Sequence, residues 1–156
     1  MRRVYLDHAA TSPVRREVVE AMLPHFSETM GNASSLHMFG QRAKRALKTA
    51  RQSVASALGA DLKEIYFTSG GTESNNLAIK GVARANSHRG RHLITSAIER
   101  HSVLNAFRHL ETEGYQVTYL PVDDQGIVDL NALEHSIRDD TILISIMLAN
   151  NEVGHH

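Results

Sequence analysis

Residues 141–147 read TILISIM, and this nearly uninterrupted apolar run decides the class of fold. A strand that is apolar on both sides is typical of the centre of a parallel sheet, where helices cover both faces. Two further segments, HLITS at 92–96 and QVTYL at 116–120, also read as strands, and helical stretches separate the three. Strands alternating with helices predict right-handed crossovers and a mostly parallel sheet. We therefore expect an α/β fold with flanking helices, in which 141–147 is the central strand.

The same alternation extends around these three strands. Residues 65–68 form another strand candidate, and a helix is predicted after it over 72–86. An apolar stripe predicts a further helix through 103–110. Residues 123–126 have the composition of a turn, and Asp129 is placed to cap the helix that follows.

Helices are also predicted before the first strand. Ser12 is a candidate cap with Pro13 at the first helical position, and apolar residues recur at helical spacing as far as Phe26. A second helix is predicted over about 37–58, with Gly59 as its stop signal. Five basic residues on this second helix are better explained as a solvated face than as an interaction patch.

The composition excludes several classes of function. Seventeen Lys and Arg balance seventeen Asp and Glu in a chain of 156 residues, so we expect no direct nucleic-acid partner that relies on a positive field. No apolar run approaches the roughly 20 residues of a membrane helix, and the first residues do not resemble a secretory signal. We therefore expect a cytoplasmic protein without a membrane partner. The absence of cysteine excludes disulfides, thiolate metal sites and a cysteine nucleophile within the chain.

The most informative stretch for chemistry is YFTSGGTESNN at 66–76. Here a predicted strand ends, two glycines allow a close turn, and a helix begins whose first N–H groups suit an oxyanion such as phosphate. The stretch is neither a Walker A loop nor a GxGxxG fingerprint, which disfavours nucleotide binding by those two routes. The residues alone leave open whether it binds phosphate or is only a capped helix after a tight turn.

The segment ANNE at 149–152 follows the predicted central strand and is a second candidate, because Asn carboxamides can orient a ligand. A turn that ends a strand explains it equally well. The histidines show no metal-binding helix spacing, so no metal site is predicted. His155 and His156 read as a possible tag remnant.

Five segments together resemble the amino-terminal part of a cysteine desulfurase, a pyridoxal-phosphate (PLP) enzyme of the class V aminotransferase group. They occur in the order YLDHAAT at 5–11, GNASS at 31–35, TSGGTESNN at 68–76, TSAIE at 95–99 and NNEVG at 150–154. The resemblance extends from Val4 to Gly154 but covers only part of the family's length. It is closest to the members that serve iron–sulfur cluster assembly and tRNA thiolation.

The resemblance implies cofactor-binding roles for particular residues. Gly71 and Thr72 match the positions that hold the PLP phosphate, which agrees with the oxyanion interpretation. Asn151 matches an asparagine beside the cofactor ring. The family usually stacks a histidine on that ring, whereas this chain has Arg100 at the position and His101 next to it. Either Arg100 stacks through its planar guanidinium, or the loop shifts so that His101 does.

The resemblance also implies reactive groups that this chain lacks. The family's Schiff-base lysine, the aspartate that pairs with the pyridine nitrogen and the persulfide-forming cysteine all lie beyond the segment that matches 150–154. Among the chain's four lysines, Lys80 is the only candidate, and about two helical turns separate it from Thr72. We therefore expect no catalytic residue in these 156 residues, and no activity from them alone. Leu148 replaces a histidine found in many relatives, a difference that we expect to be tolerated.

The resemblance implies the fold and its divisions. We expect part of the large domain of a PLP-dependent transferase, of the aspartate aminotransferase-like fold type I. Residues 1–60 would form an amino-terminal arm and helices, 61–154 the first part of the PLP-binding α/β domain, and 155–156 the possible tag remnant.

The complete enzyme of such a family converts L-cysteine to L-alanine and transfers persulfide sulfur to acceptor or scaffold proteins, as a homodimer. Two alternatives remain open from the sequence. One is another class V enzyme, such as an aminotransferase or a selenocysteine lyase. The other is a non-catalytic module that binds phosphate or associates with another chain through the unfinished sheet.

Overall fold

The computed structural model describes residues 3–152 and 154, so Met1, Arg2, Val153, His155 and His156 lie outside the described residues. The chain divides into two compact units, one ending at Phe67 and the other beginning at Thr68. The predicted division into domains at 60/61 stays a prediction. Within the described part of the chain, no helix combines the length and the hydropathy that a membrane span requires.

The first unit is helical. It contains α1 (Arg16–Met22), α2 (Pro24–Ser27), the long α3 (Met38–Leu58) and a short 3-10 helix (Leu62–Glu64). Helix α3 begins one residue after its predicted start and ends at Gly59, whose φ of 64° lies in the left-handed region that favours glycine.

The predicted start of the first helix is wrong. Helix α1 begins at Arg16 rather than Pro13, and its cap is Arg15, which makes no side-chain capping bond. The helix also stops at Leu23, and α2 begins at Pro24, because proline has no N–H to donate to the preceding turn.

The predicted strand at 65–68 is also wrong. These residues are extended but pair with no strand in the described part of the chain. Instead, the Arg51 Nε donates a hydrogen bond to the Ile65 carbonyl oxygen at 3.1 Å, and the Arg51 guanidinium lies 5.2 Å from the centre of the Phe67 ring. Extended backbone becomes a strand only when a neighbour accepts and donates its hydrogen bonds, which local composition does not determine.

The second unit is the expected parallel sheet with helices. Its helices are α4 (Gly71–Ala85), α5 (His101–Thr112) and α6 (Leu130–Ser136), and its strands are β1 (His92–Ser96), β2 (Gln116–Leu120) and β3 (Thr141–Ser145). The strands pair in parallel in the order β2-β1-β3. This confirms the α/β fold of the prediction. It also confirms the Asp129 cap, because Asp129 Oδ1 accepts the Asn131 N–H at 2.8 Å.

The central strand differs from the prediction. All five residues of β1 are buried, and β1 has a partner on each side. Strand β3 pairs only with β1 in the described chain, and its Ile144 is 42% exposed. The apolar composition of β3 therefore did not indicate its position among the described strands.

The core of this unit lies between the sheet and helices α4 and α5. Phe107, Leu93 and Leu110 are fully buried there, and the Tyr115 hydroxyl donates to the Ala83 carbonyl oxygen at 3.1 Å. This packing fixes where the amino-terminal ends of both helices lie.

Candidate functional site

The candidate site is built at the carboxyl ends of the parallel strands. Strand β1 ends at Ser96 and leads through a short loop into α5, while β3 ends at Ser145 and leads to Asn150 and Asn151. Because β1 and β3 are parallel neighbours, the two segments after them lie at the same edge of the sheet. Ligands of open parallel sheets bind at this edge.

The start of α4 presents unpaired donors. Gly70 precedes the helix with extended backbone and has no side chain to cap it, and the first main-chain bond of the helix runs from the Ser74 N–H to the Gly70 carbonyl oxygen at 3.1 Å. No acceptor in residues 3–152 takes the N–H groups of Gly71, Thr72 or Glu73. These donors and the positive end of the helix suit an oxyanion.

Open space lies in front of this turn. Residues 70–74 are exposed, and a Cβ atom added to Gly70 or Gly71 would meet no atom within 4 Å. The amides are therefore not covered by packed side chains. A phosphate group fits the chemistry of this donor set, and the role of Gly71 and Thr72 in binding it stays a prediction.

Side chains hold the turn in shape without occupying those amides. The Thr68 and Ser74 hydroxyls are hydrogen-bonded at 2.7 Å. Glu73 Oε2 accepts from both the hydroxyl and the N–H of Ser69, each at 2.7 Å. These bonds from Ser69, first the hydroxyl and then the N–H, hold the pKa of Glu73 below its ordinary value. The Glu73 carboxylate therefore stabilises the turn by accepting hydrogen bonds from Ser69.

Three of the predicted residues line one cavity. Arg100 is the cap of α5, His101 is its first helical residue, and both are exposed. Together with Asn151 they border a cavity of about 200 Å³, whose other lining residues are Ile98, Glu99, Met147, Asn150 and Glu152. Gly71 and Thr72 do not line this cavity. Arg100 and His101 therefore both border the cavity that Asn151 also lines.

A hydrogen bond relates the two parts of the site. The Asn75 Nδ2 in the second turn of α4 donates to the Ser102 hydroxyl in the first turn of α5 at 2.9 Å. The beginning of α4 therefore lies near the beginning of α5, which carries Arg100 and His101. The glycine turn before α4 and the cavity are thus neighbours on one edge of the sheet.

Lys80 lies toward the opposite end of this helix pair. Its charge is one of the influences that lower the pKa of Glu113, after the hydrogen bond from Arg84 and the charges of Arg84 and His109. Glu113 caps the carboxyl end of α5, and Arg84 is in the last turn of α4. Lys80 is nine residues after Gly71 in α4, a rise of about 13 Å along the helix axis.

Sequence reasoning missed Glu99 as a structural part of the site. The Glu99 carboxylate is buried and accepts the Met147 N–H at 2.6 Å. The Asn150 Nδ2 donates to the Ile98 carbonyl oxygen at 3.3 Å. The available signal was a glutamate three residues after the end of β1, but its partner is 48 residues away. Among the residues described, no three His, Asp or Glu side chains are grouped as metal ligands.

Comparison with known proteins gives one consistent result. The family described as Aminotransferase class-V matches residues 4–156. The chain is 59% identical over 151 residues to a cysteine desulfurase IscS of Methanosarcina thermophila, covering 97% of this chain and 37% of that protein. It is 57% identical over 153 residues to a cysteine desulfurase IscS of Dictyoglomus turgidum, covering 98% of this chain and 39% of that protein. The chain thus spans about two-fifths of the length of these relatives.

Solved structures agree with the sequence comparison. A NifS-like protein superposes with a TM-score of 0.91 at 43% identity, over 96% of this chain and 41% of that chain. A structure described as SspA in complex with cysteine gives a TM-score of 0.87 at 44% identity, over 95% of this chain and 43% of that chain.

Proposed function

Because this chain belongs to the class V aminotransferase family, whose members are PLP-dependent enzymes, we propose that it forms the cofactor-phosphate region of a cysteine desulfurase. The observation that carries the proposal is the open, unpaired set of amides at Gly71 and Thr72 in a chain so similar to those enzymes. The expected overall reaction converts L-cysteine to L-alanine and transfers the sulfur as a persulfide.

Each proposed site residue has a distinct role. The N–H groups of Gly71 and Thr72 bind the cofactor phosphate at the positive end of α4. Asn151 hydrogen-bonds a ring substituent or the substrate through its carboxamide. Arg100 or His101 stacks on the ring. PLP, when bound, supplies an electron sink for the reaction, and this chain's residues bind and orient it.

The remaining parts of the proposal concern the whole protein. Its partners are L-cysteine and a sulfur-acceptor or scaffold protein, and it acts as a homodimer in the cytoplasm, for iron–sulfur cluster assembly or tRNA thiolation. The identity to proteins named cysteine desulfurase IscS supports the substrate and the first of these two pathways. The structure of a relative in complex with cysteine also supports the substrate.

The phosphate role can be tested by deleting one amide donor. Gly71→Pro removes the N–H of the first helical position, where proline fits a helix well. We expect this variant to bind pyridoxine 5′-phosphate about tenfold more weakly than the unaltered chain in an NMR titration, because a charge-assisted hydrogen bond is lost. Pyridoxine 5′-phosphate has no aldehyde and cannot react with surface lysines, so its binding reports the non-covalent site.

Leu130→Pro is the matched control, because Leu130 is the first residue of α6 and is exposed. We expect this control to bind the probe as the unaltered chain does. Equal binding by Gly71→Pro and Leu130→Pro would show that the α4 amides do not hold the phosphate.

A further inference from the structure

Glu99 is a buried carboxylate without a cationic partner in the described chain. It is only 7% exposed, although it lies in the short loop between β1 and α5. No Lys, Arg or His among the described residues forms an ion pair with it. Glutamate is almost never buried unless it is paired or hydrogen-bonded. Hydrogen bonds must therefore account for its position.

One oxygen of Glu99 makes both of its hydrogen bonds. Oε1 accepts the Met147 N–H at 2.6 Å and the Ser96 hydroxyl at 3.1 Å. Met147 follows the end of β3 by two residues, whereas Ser96 is the last residue of β1. The carboxylate therefore joins the loop after β1 to the segment after β3. Bonds of N–H groups to a charged acceptor are shorter and stronger than neutral ones.

The two joined segments carry the residues proposed to contact the cofactor ring. Arg100 and His101 directly follow Glu99, and Asn151 lies four residues after Met147. Glu99 and Met147 line the same cavity as these three residues. No hydrogen bond of Glu99 reaches α4, where Gly71 and Thr72 lie. The hydrogen bonds of Glu99 thus support the segments proposed to contact the ring and not the amides of α4.

We propose that Glu99 is a positioning residue that holds the two ring-binding segments at a fixed separation. This inference rests on the proposed function, since it assigns the ring to the cavity between the segments. Loss of the carboxylate lets the Met147 segment and the α5 loop move apart, so the ring loses affinity while the phosphate contacts persist. Ring binding must then also order the two loose segments, and the free energy that this costs lowers the net affinity for the ring.

The test compares a ring-bearing probe with a phosphate-only probe on the 156-residue chain. Glu99→Ala is expected to weaken pyridoxine 5′-phosphate binding about tenfold, which corresponds to about 1.4 kcal/mol, and to leave glycerol 3-phosphate binding unchanged. Glu99→Gln is expected to stay within about twofold of the unaltered chain for both probes, because its amide oxygen can still accept both hydrogen bonds. Glu134→Ala, at an exposed position of α6, is the matched control.

Amide hydrogen exchange gives a readout that needs no ligand. Glu99→Ala is expected to speed exchange of the Met147 amide at least tenfold, and Glu99→Gln to leave it slow, with the amides of buried β1 unchanged in both variants. Unaltered exchange at Met147 in Glu99→Ala, or an equal loss of affinity for both probes, would overturn the positioning role. If the unaltered chain binds neither probe, the proposed function fails instead, and the exchange result still decides whether Glu99 holds the two segments together.

Discussion

The imidazole of His92 contacts all three strands of the sheet from the first residue of β1. Its Nδ1 is 2.7 Å from the Thr141 hydroxyl of β3, and its Nε2 is 2.9 Å from the Thr118 hydroxyl of β2. Burial lowers the pKa of His92, and the nearby charge of Arg138 lowers it further, partly opposed by Asp140. At the scale of the residue, therefore, one side chain links all three strands, and burial disfavours its protonated form.

This burial predicts a dependence of stability on pH. The folded chain holds the pKa of His92 below that of the unfolded chain, so the unfolded state binds an additional proton as the pH falls through about 6.5. The free energy of unfolding should therefore include the whole contribution of neutral His92 above that pH. Below it, this contribution should decline by at most about 1.4 kcal/mol per pH unit. Urea unfolding at pH 7.5, 6.5 and 5.5 measures the decline.

His92→Gln isolates this residue from the other histidines. We expect the variant to be less stable at pH 7.5 but to lose less stability between pH 7.5 and 5.5 than the unaltered chain. His88→Gln changes an exposed histidine and should keep the full decline. An identical decline in His92→Gln and His88→Gln would show that the charge of His92 does not oppose folding.

At the scale of the element, α5 is the support of the candidate site. Its inward residues pack against β1 and α4, and its first turn is held to α4 by the bond from Asn75 to Ser102. The loop before it is held to the segment after β3 by Glu99. The orientation of Arg100 and His101 therefore depends on packing farther along the same helix.

Phe107→Ala tests the contribution of that packing. Phe107 is fully buried, so we expect the free energy of unfolding to fall by about 3–5 kcal/mol, the range for emptying a core aromatic site. Phe26→Ala, at a side chain that is 75% exposed, should change it by less than about 0.5 kcal/mol. Thermal and urea unfolding provide the measurement, and similar losses in both variants would contradict the assigned core.

At the scale of the whole molecule, the two units bury their apolar side chains to different degrees. In the described part of the first unit only Gly40 and Ala55 are buried, whereas Leu36 is 92% exposed and Phe26 is 75% exposed. The second unit contains the continuous core. Exposed apolar surface of this extent is typical of surfaces that contact other polypeptide. This observation agrees with a chain that spans about two-fifths of the length of its relatives.

The 156-residue chain is expected to show no desulfurase turnover, because it has no cysteine to carry the sulfur, and Lys80, its only candidate for the Schiff base, lies about two helical turns from Thr72. Incubation with L-cysteine and PLP, followed by assays of sulfide and alanine, measures this. The buffer with PLP but no protein is the control, since free PLP itself reacts with cysteine. Alanine formed above that control would contradict the expectation.

Local chemistry was sufficient for the features that depend on neighbouring residues. Gly59 ends α3 because glycine adopts the left-handed conformation at low cost, and Asp129 caps α6 through an amide two residues away. The parallel sheet was also predictable, since strands and helices alternate. The phosphate-binding turn at Gly71 was predicted as a helix start and a glycine pair, and it remains a proposed site.

Only the tertiary structure decided the features that depend on distant residues. The extended segment 65–68 found no strand partner, and β1 rather than β3 lies between its neighbours among the described strands. The cavity that joins His101 to Asn151 and the bond from Met147 to Glu99 connect residues about fifty positions apart. Such contacts arise from strand order and packing of the whole unit, which no local run of side chains encodes by itself.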